Sequence, residues 1–216
     1  EYKNAKKYWM DKIDEFPSAP SLNYIAKPKD IQNPHFDRVE WTLCEKELEK
    51  LKIIARKHNV TISSVLCTTF AKVLEYWSNQ SHFAINLTVF NRKNFHPDVN
   101  KIIGDFTSTM LLDVNLEDSD EFWVACKKIQ AVLMEALEYR DYNGVEFIRE
   151  IAKYRHQENM AIMPIVFTSM IFEESNRQEN YVDSIGESKY ERSQTSQVFL
   201  DFQASDDNNQ LKMSWD

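Results

Sequence analysis

No stretch of this sequence is apolar for anything near the ~20 residues that a bilayer-spanning helix requires, so no membrane span is expected. Positive charge is also scarce: 26 Lys and Arg stand against 34 Asp and Glu, giving a formal charge of −8 and a pI near 5.2. Such a chain repels a phosphate backbone, and no basic stripe interleaved with aromatics offsets the repulsion, so nucleic acid is not an expected partner. Cysteine is sparse. Cys44, Cys67 and Cys126 are odd in number and too scattered for a zinc site, and two of them lie inside apolar helical patterns, so they are read as small core side chains. The histidines (His35, His58, His82, His96 and His156) never fall three or four residues apart on a helix, and no bound metal is expected. The chain opens Glu-Tyr-Lys-Asn, without Met and without a basic-then-apolar leader, which points to a cytoplasmic setting and to a piece of a longer protein. Its last residues, Leu211 to Asp216, alternate like a strand and stop without a turn signal, as an excised segment would. There is no internal repeat.

What is present reads as a globular α/β chain. With 43% hydrophobic and 12% aromatic residues over 216 positions, it can bury well over half of its unfolded surface, as one large domain or one lobe of a larger one. Residues 4 to 15 carry Ala5, Tyr8, Trp9 and Ile13 at helical spacing, stopped by Phe16-Pro-Ser-Ala-Pro20, and an extended linker runs to about Pro34. His35 to Leu43 alternates as a strand; Glu45 to Lys57 is an amphipathic helix through Leu48, Leu51, Ile54 and Ala55. Thr61 or Ser63 can cap a second helix to Trp77, whose Val65, Leu66, Phe70, Val73 and Leu74 leave little polar face and imply packing against a sheet. Strands are expected at Phe83 to Phe90, Thr107 to Val114, Met163 to Ser169 and Gln197 to Gln203, with helices at Phe122 to Tyr139 and Val145 to Tyr154. This mixture predicts helices layered on a sheet, without deciding between parallel and mixed pairing. Glu173 to Ser196 is polar and long for a bare connection, hence either mobile or functional.

The residues that could carry chemistry are each ambiguous alone. By the period of two, Val198, Leu200 and Phe202 share one strand face and leave Phe199, Asp201 and Gln203 on the other. A carboxylate between Leu and Phe must be hydrogen-bonded, paired or driven toward its neutral form, because burying it bare costs several kcal/mol. Asp201 is therefore a proton-transfer candidate or, equally open, a structural partner on a solvated face. Thr168 and Ser169 end a strand where a hydroxyl can face a cavity, or they serve strand propensity alone; no Gly-x-Ser-x-Gly elbow surrounds them. Asn91-Arg92 closes a strand and binds either a ligand carbonyl or local backbone. Gly104 marks a turn, through a positive φ or a close backbone approach. Trp9, Trp77 and Trp123 are read as packing residues.

Together these segments resemble, in order and over essentially the whole chain, the heterocyclization domains, a condensation-type family of non-ribosomal peptide synthetases. The segments are Phe16-Pro-Ser-Ala-Pro-Ser-Leu22, Thr61 through Trp77, Asn86-Leu-Thr-Val-Phe-Asn-Arg92, Met163-Pro-Ile-Val-Phe-Thr-Ser169 and Ser193-Gln-Thr-Ser-Gln-Val-Phe-Leu-Asp-Phe-Gln203. The most discriminating is Gly104-Asp-Phe-Thr-Ser-Thr-Met-Leu-Leu112, where ordinary condensation domains carry Gly-x-Phe-Val-Asn-Thr. Asn23 and Ser196 stand where the family has Pro. The resemblance implies a chloramphenicol acetyltransferase-like fold, two lobes in a V around a tunnel. Residues 1–216 would be the C-terminal lobe, entered through a helix and linker at 1–34, with the N-terminal lobe and its Asp-x-x-x-x-Asp motif lying upstream. It implies condensation of a carrier-bound acyl group with a carrier-bound Cys, Ser or Thr and closure to a thiazoline or oxazoline. Asp201 and Thr168 would be catalytic, and Asn86, Asn91, Ser169 and Gln203 would bind substrate. No soluble cofactor is implied. The expected partners are upstream and downstream peptidyl carrier domains with their phosphopantetheine arms, the complementary lobe and an adenylation domain, and the isolated fragment would be inactive. An ordinary amide-forming condensation domain and a non-catalytic docking lobe are the alternatives.

Overall fold

The computed structural model describes residues 1–26, 30–93, 95–117, 119–158, 160–171, 191–193, 195–207 and 209–216. The elements are α1 (Tyr2–Asp11), β1 (Val39–Leu43), α2 (Glu45–Lys57), α3 (Ile62–Ser78), β2 (His82–Phe90), β3 (Thr107–Asn115), α4 (Phe122–Glu138), α5 (Gly144–Tyr154), β4 (Ile165–Met170), β5 (Leu200–Asp207) and β6 (Gln210–Trp215). The six strands form one sheet in the order β1-β6-β5-β4-β2-β3. Pairing is parallel at β2–β4 and β4–β5 and antiparallel elsewhere, so the sheet is mixed, as a chloramphenicol acetyltransferase-like lobe has it.

Local chemistry sets the helix ends. Of the two candidate caps for α3, Thr61 is the one used: its Oγ1 accepts from the Ser64 backbone N at 3.1 Å. Asn143 starts α5 in the same way, its Oδ1 accepting from Glu146 N at 3.0 Å while Glu146 reaches back to the Asn143 N–H, a reciprocal capping box. Asn79 ends α3 in the left-handed conformation, φ 53°, which Asn tolerates.

The two sheet faces differ. On the apolar face, Phe167 of β4, Phe202 of β5 and Trp215 of β6 surround Phe70 of α3, with ring centroids 5.2 to 5.7 Å from Phe70, and α4 lies beside α3. The burial expected for α3 is met at Val65, Leu66, Phe70 and Leu74, whereas Val73 points outward. Over the other face, α1 and α5 sit at the β2–β3 end. There Trp9, Phe16 and Phe147 pack together at 5.0 to 6.1 Å, and Gly144 comes so close that a Cβ would stand 2.8 Å from Thr109 Oγ1. That glycine is a steric requirement. The segment after α1 pairs with β2 through Ala84 N to Ser18 O at 2.8 Å and is held by Arg155, which donates to Ser18 Oγ and to Phe16 O.

Several strand limits depart from the periodic pattern. β1 begins at Val39 rather than His35, because its partner β6 runs out there: Val39 pairs with Trp215. β5 begins at Leu200 rather than Gln197, since Gln197 takes a positive φ of 66° and Val198 N turns back to Thr195 O. Cys67 and Cys126 are buried but Cys44 is exposed, and Trp77, read as a packing residue, is 67% exposed. Gly104 does neither thing expected of it: it has no positive φ, and a Cβ there would meet only Phe106 Cε2 at an ordinary 3.6 Å. Most of the polar 173–196 segment lies outside the described residues. Among the described residues no helix is long and apolar enough to cross a membrane, and no group of three or more His, Cys, Asp or Glu is placed to hold a metal ion.

Candidate active site

The parallel register of the three inner strands lines up two rows of side chains. Asn86 is level with Val166, and Val166 with Asp201; Thr88 is level with Thr168, and Thr168 with Gln203. Residues level with one another on paired strands project to the same face, so Asn86, Thr88, Thr168, Asp201 and Gln203 share the face opposite Phe70. The helices on this face lie at its β2–β3 end, and Thr168, Gln203 and Ser205 are partly exposed. Thr168 and Asp201 occupy adjacent strands, offset by two residues, a Cα separation of about 8 Å from standard strand spacings. A molecule lying on the sheet could touch both.

Asp201 is 7% exposed. Its Oδ2 accepts two hydrogen bonds, from Ser193 Oγ and from Gln203 Nε2, each at 2.8 Å. Its Oδ1 is buried and has no partner among the described residues, and the same holds for Asn86 Oδ1. An unmatched buried oxygen is costly and points to a missing hydrogen-bond partner such as a water or a bound molecule. Thr168 donates from Oγ1 to Thr88 Oγ1 at 2.9 Å, which leaves the Thr168 oxygen able to accept. One carboxyl oxygen is thus pinned by two donors while the other is buried and unmatched among the described residues.

Behind this row stands an ion pair. Asp216 and Asp201 exchange backbone hydrogen bonds at 3.0 and 3.1 Å, so their side chains rise from the same face. The Asp216 side chain is fully buried and is gripped by Arg38, whose Nε donates to Oδ1 at 2.7 Å and whose Nη2 donates to Oδ2. The hydrogen bond to Asp216 raises the already high proton affinity of the guanidinium, against the opposing effect of burial. Ser193 spans both carboxylates: its hydroxyl goes to Asp201, and its backbone N–H to Asp216 Oδ2 at 3.3 Å. An open cleft of about 640 Å³ runs from Arg38 and Glu40 past Ser205 and Lys212 to Gln203, but it stops short of Asp201 and Thr168.

The structure thus brings together Asn86, Thr168, Asp201 and Gln203 and places the other two candidates elsewhere. Ser169 points to the apolar face, where its Oγ pairs with Ser63 Oγ in the first turn of α3 at 2.8 Å. Asn91 lies past the end of β2, its Oδ1 accepting from Arg140 Nε at 3.1 Å and its N donating to Phe106 O. Neighbouring Arg92 clamps the following loop, donating to Val99 O and Ile102 O and covering the Phe106 ring at 3.9 Å. Reading the sequence missed Thr88, Ser193, Arg38 and Asp216. Alternation in β2 would have put Thr88 beside Asn86, whereas nothing in the sequence indicates that residue 38 meets residue 216.

A mixed sheet thus presents a row of hydroxyl, amide and carboxyl groups on one face. The condensation domain family model matches residues 1–216, and the chain belongs to that family. It is 44% identical over its whole length to bacitracin synthase 1 of Bacillus licheniformis, of which it spans 4%. Over 97% of its length it is 30% identical to the phenyloxazoline synthase MbtB of Mycobacterium tuberculosis, spanning 15% of that protein. Among solved structures, the EpoB non-ribosomal peptide synthetase cyclization-docking bidomain from Sorangium cellulosum superposes with a TM-score of 0.85 at 30% identity, over 99% of this chain and 43% of that one. The chain therefore spans a small part of each synthetase and less than half of the bidomain.

Proposed function

We propose that this chain is the C-terminal lobe of a heterocyclization domain and that its polar sheet face forms one wall of the reaction chamber. The complementary lobe would supply the other wall, and phosphopantetheine arms of an upstream and a downstream carrier domain would bring the substrates, the downstream one loaded by an adenylation domain. The amine of a carrier-bound Cys, Ser or Thr attacks the upstream acyl thioester, the C–S bond breaks, and the arm's thiol leaves with a proton. The side-chain thiol or hydroxyl of the new residue then adds to the amide carbonyl, and loss of water gives the thiazoline or oxazoline. That second stage needs a proton removed from the nucleophile and one delivered to the departing hydroxyl. Asp201 moves those protons through its unmatched Oδ1, Thr168 orients the reacting group, and Gln203 and Asn86 hold substrate amides.

The observation that carries this reading is the Asp201 carboxyl, buried and doubly held on one oxygen with the other unmatched. The printed names of two relatives, a phenyloxazoline synthase and a cyclization domain, support ring formation. Bacitracin synthase 1 has no ring chemistry in its name, which keeps amide formation alone as the second reading. One assay separates them. The full-length protein is supplied with both loaded carriers, and the product is weighed, an azoline being lighter than its amide by one water. Ring product from the parent and linear amide from Asp201→Asn, with cyclization slowed ~10²- to 10⁴-fold, are expected. Thr168→Val should show the same bias more weakly. Amide alone from the parent establishes the second reading; unchanged ring formation by Asp201→Asn, or equal loss of both products, removes Asp201 from the reaction.

A further inference from the structure

We propose that Ser193 is a positioning residue that fixes the Asp201 carboxyl through Oδ2, so that the buried Oδ1, which has no hydrogen-bond partner among the described residues, is the oxygen left for proton transfer. This rests on the role assigned to Asp201 above. A carboxyl group has two equivalent oxygens and rotates between them unless its surroundings distinguish them. Here both neutral donors converge on one oxygen: Ser193 Oγ and Gln203 Nε2 each reach Oδ2 at 2.8 Å. Gln203 comes from Asp201's own strand, two residues on, and by the reading above its amide also serves substrate. Ser193 is therefore the donor free to hold the carboxyl throughout.

The placement of Ser193 is itself anchored from a second direction. Its backbone N–H donates to Asp216 Oδ2, and Asp216 is fixed by two hydrogen bonds from Arg38, so the segment is tethered without its hydroxyl. The hydroxyl is thus separable from the tether. Among the described residues, the charged groups around the pair are the Asp216 carboxylate and the Arg38 guanidinium, with Arg192 next to Ser193 in the chain, Glu40 and Glu191 beyond Arg38, and Lys212 further along β6. Arg38 compensates Asp216 directly, which leaves orientation of Asp201 to the neutral donors.

The test measures the ratio of azoline to linear amide made by the full-length protein, for Ser193→Ala, Ser193→Thr, Asp201→Asn and the Ser193→Ala/Asp201→Asn double variant. A hydrogen bond to a charged group corresponds to roughly tenfold or more, so Ser193→Ala should lower the ratio about tenfold. Ser193→Thr, which keeps a hydroxyl, should restore it. The double variant should match Asp201→Asn alone, since a residue acting through Asp201 has nothing left to position. Because the ratio is internal to each sample, partial loss of folded protein does not move it. A parental ratio for Ser193→Ala, failure of Thr to restore it, or losses that multiply in the double variant would each overturn the proposal while Asp201 keeps its role. A parental ratio for Asp201→Asn overturns both.

Discussion

Replacing Arg38 by Met should destabilise the lobe by about 3 to 4 kcal/mol at pH 7. Arg38 touches three carboxylates, but they are not equal. Glu40 and Glu191 lie at 3.3 and 3.7 Å and are 63% and 71% exposed, so each is worth a fraction of a kcal/mol at most. Asp216 is fully buried, and stripping its cation leaves a bare charge away from water, for which losses of roughly 3 to 5 kcal/mol are typical. For 216 residues, an unfolding entropy of about 2.1 cal/mol/K per residue converts 3 kcal/mol into a fall in Tm of about 7 °C. Urea unfolding at pH 7, with Glu40→Gln as the exposed-partner control, measures this. A loss under 1 kcal/mol at pH 7, or one no larger than that of Glu40→Gln, would refute the reasoning.

Two further outcomes follow from packing. Gly144→Ala places a methyl group 2.8 Å from Thr109 Oγ1 and 3.0 Å from the Met110 backbone, which cannot step aside, so urea unfolding should report a loss of about 1 to 3 kcal/mol. Native protein at pH 8 should react with a thiol reagent at Cys44 alone and at all three cysteines in denaturant: burial, with Cys126 nearby, pushes the Cys67 thiol up to about 12, and burial raises Cys126 as well. Three fast-reacting thiols in the folded protein would contradict the buried placement.

The helices were legible because their apolar spacing is a local property. Leu48 and Ala55 in α2 and Leu66 and Phe70 in α3 point inward as their spacing indicates, whereas Ile54, on the same expected stripe of α2, is 44% exposed. Strand parity was legible for the same reason: Phe202 faces Phe70, and Asp201 takes the opposite side with Gln203. What remained hidden was non-local. Sheet order decides that β4 separates β2 from β5, and only that order makes Asn86, Val166 and Asp201 level. The edges of β1 and β5 were misplaced because a strand ends where its partner or its dihedrals end, whatever its side-chain pattern. Arg38 sits in an alternating stretch where a charged residue reads as solvated, and its burial by Asp216 comes from the far end of the chain.

That last pairing has a consequence for how the lobe is made. β1, at residues 39 to 43, finds its only described partner in β6, at residues 211 to 215, about 170 residues later, and Trp215 also completes the ring cluster around Phe70. At ribosomal speeds of about 5 to 20 residues per second, the first strand waits on the order of 10 to 35 s with its hydrogen-bonding edge exposed. Its sequence, Val-Glu-Trp-Thr-Leu, is short and carries an acidic residue at its second position, the kind of charge that discourages pairing with strangers during such a wait. The pairing that closes this side of the sheet also brings Arg38 to Asp216, so the edge strand and the buried ion pair form together.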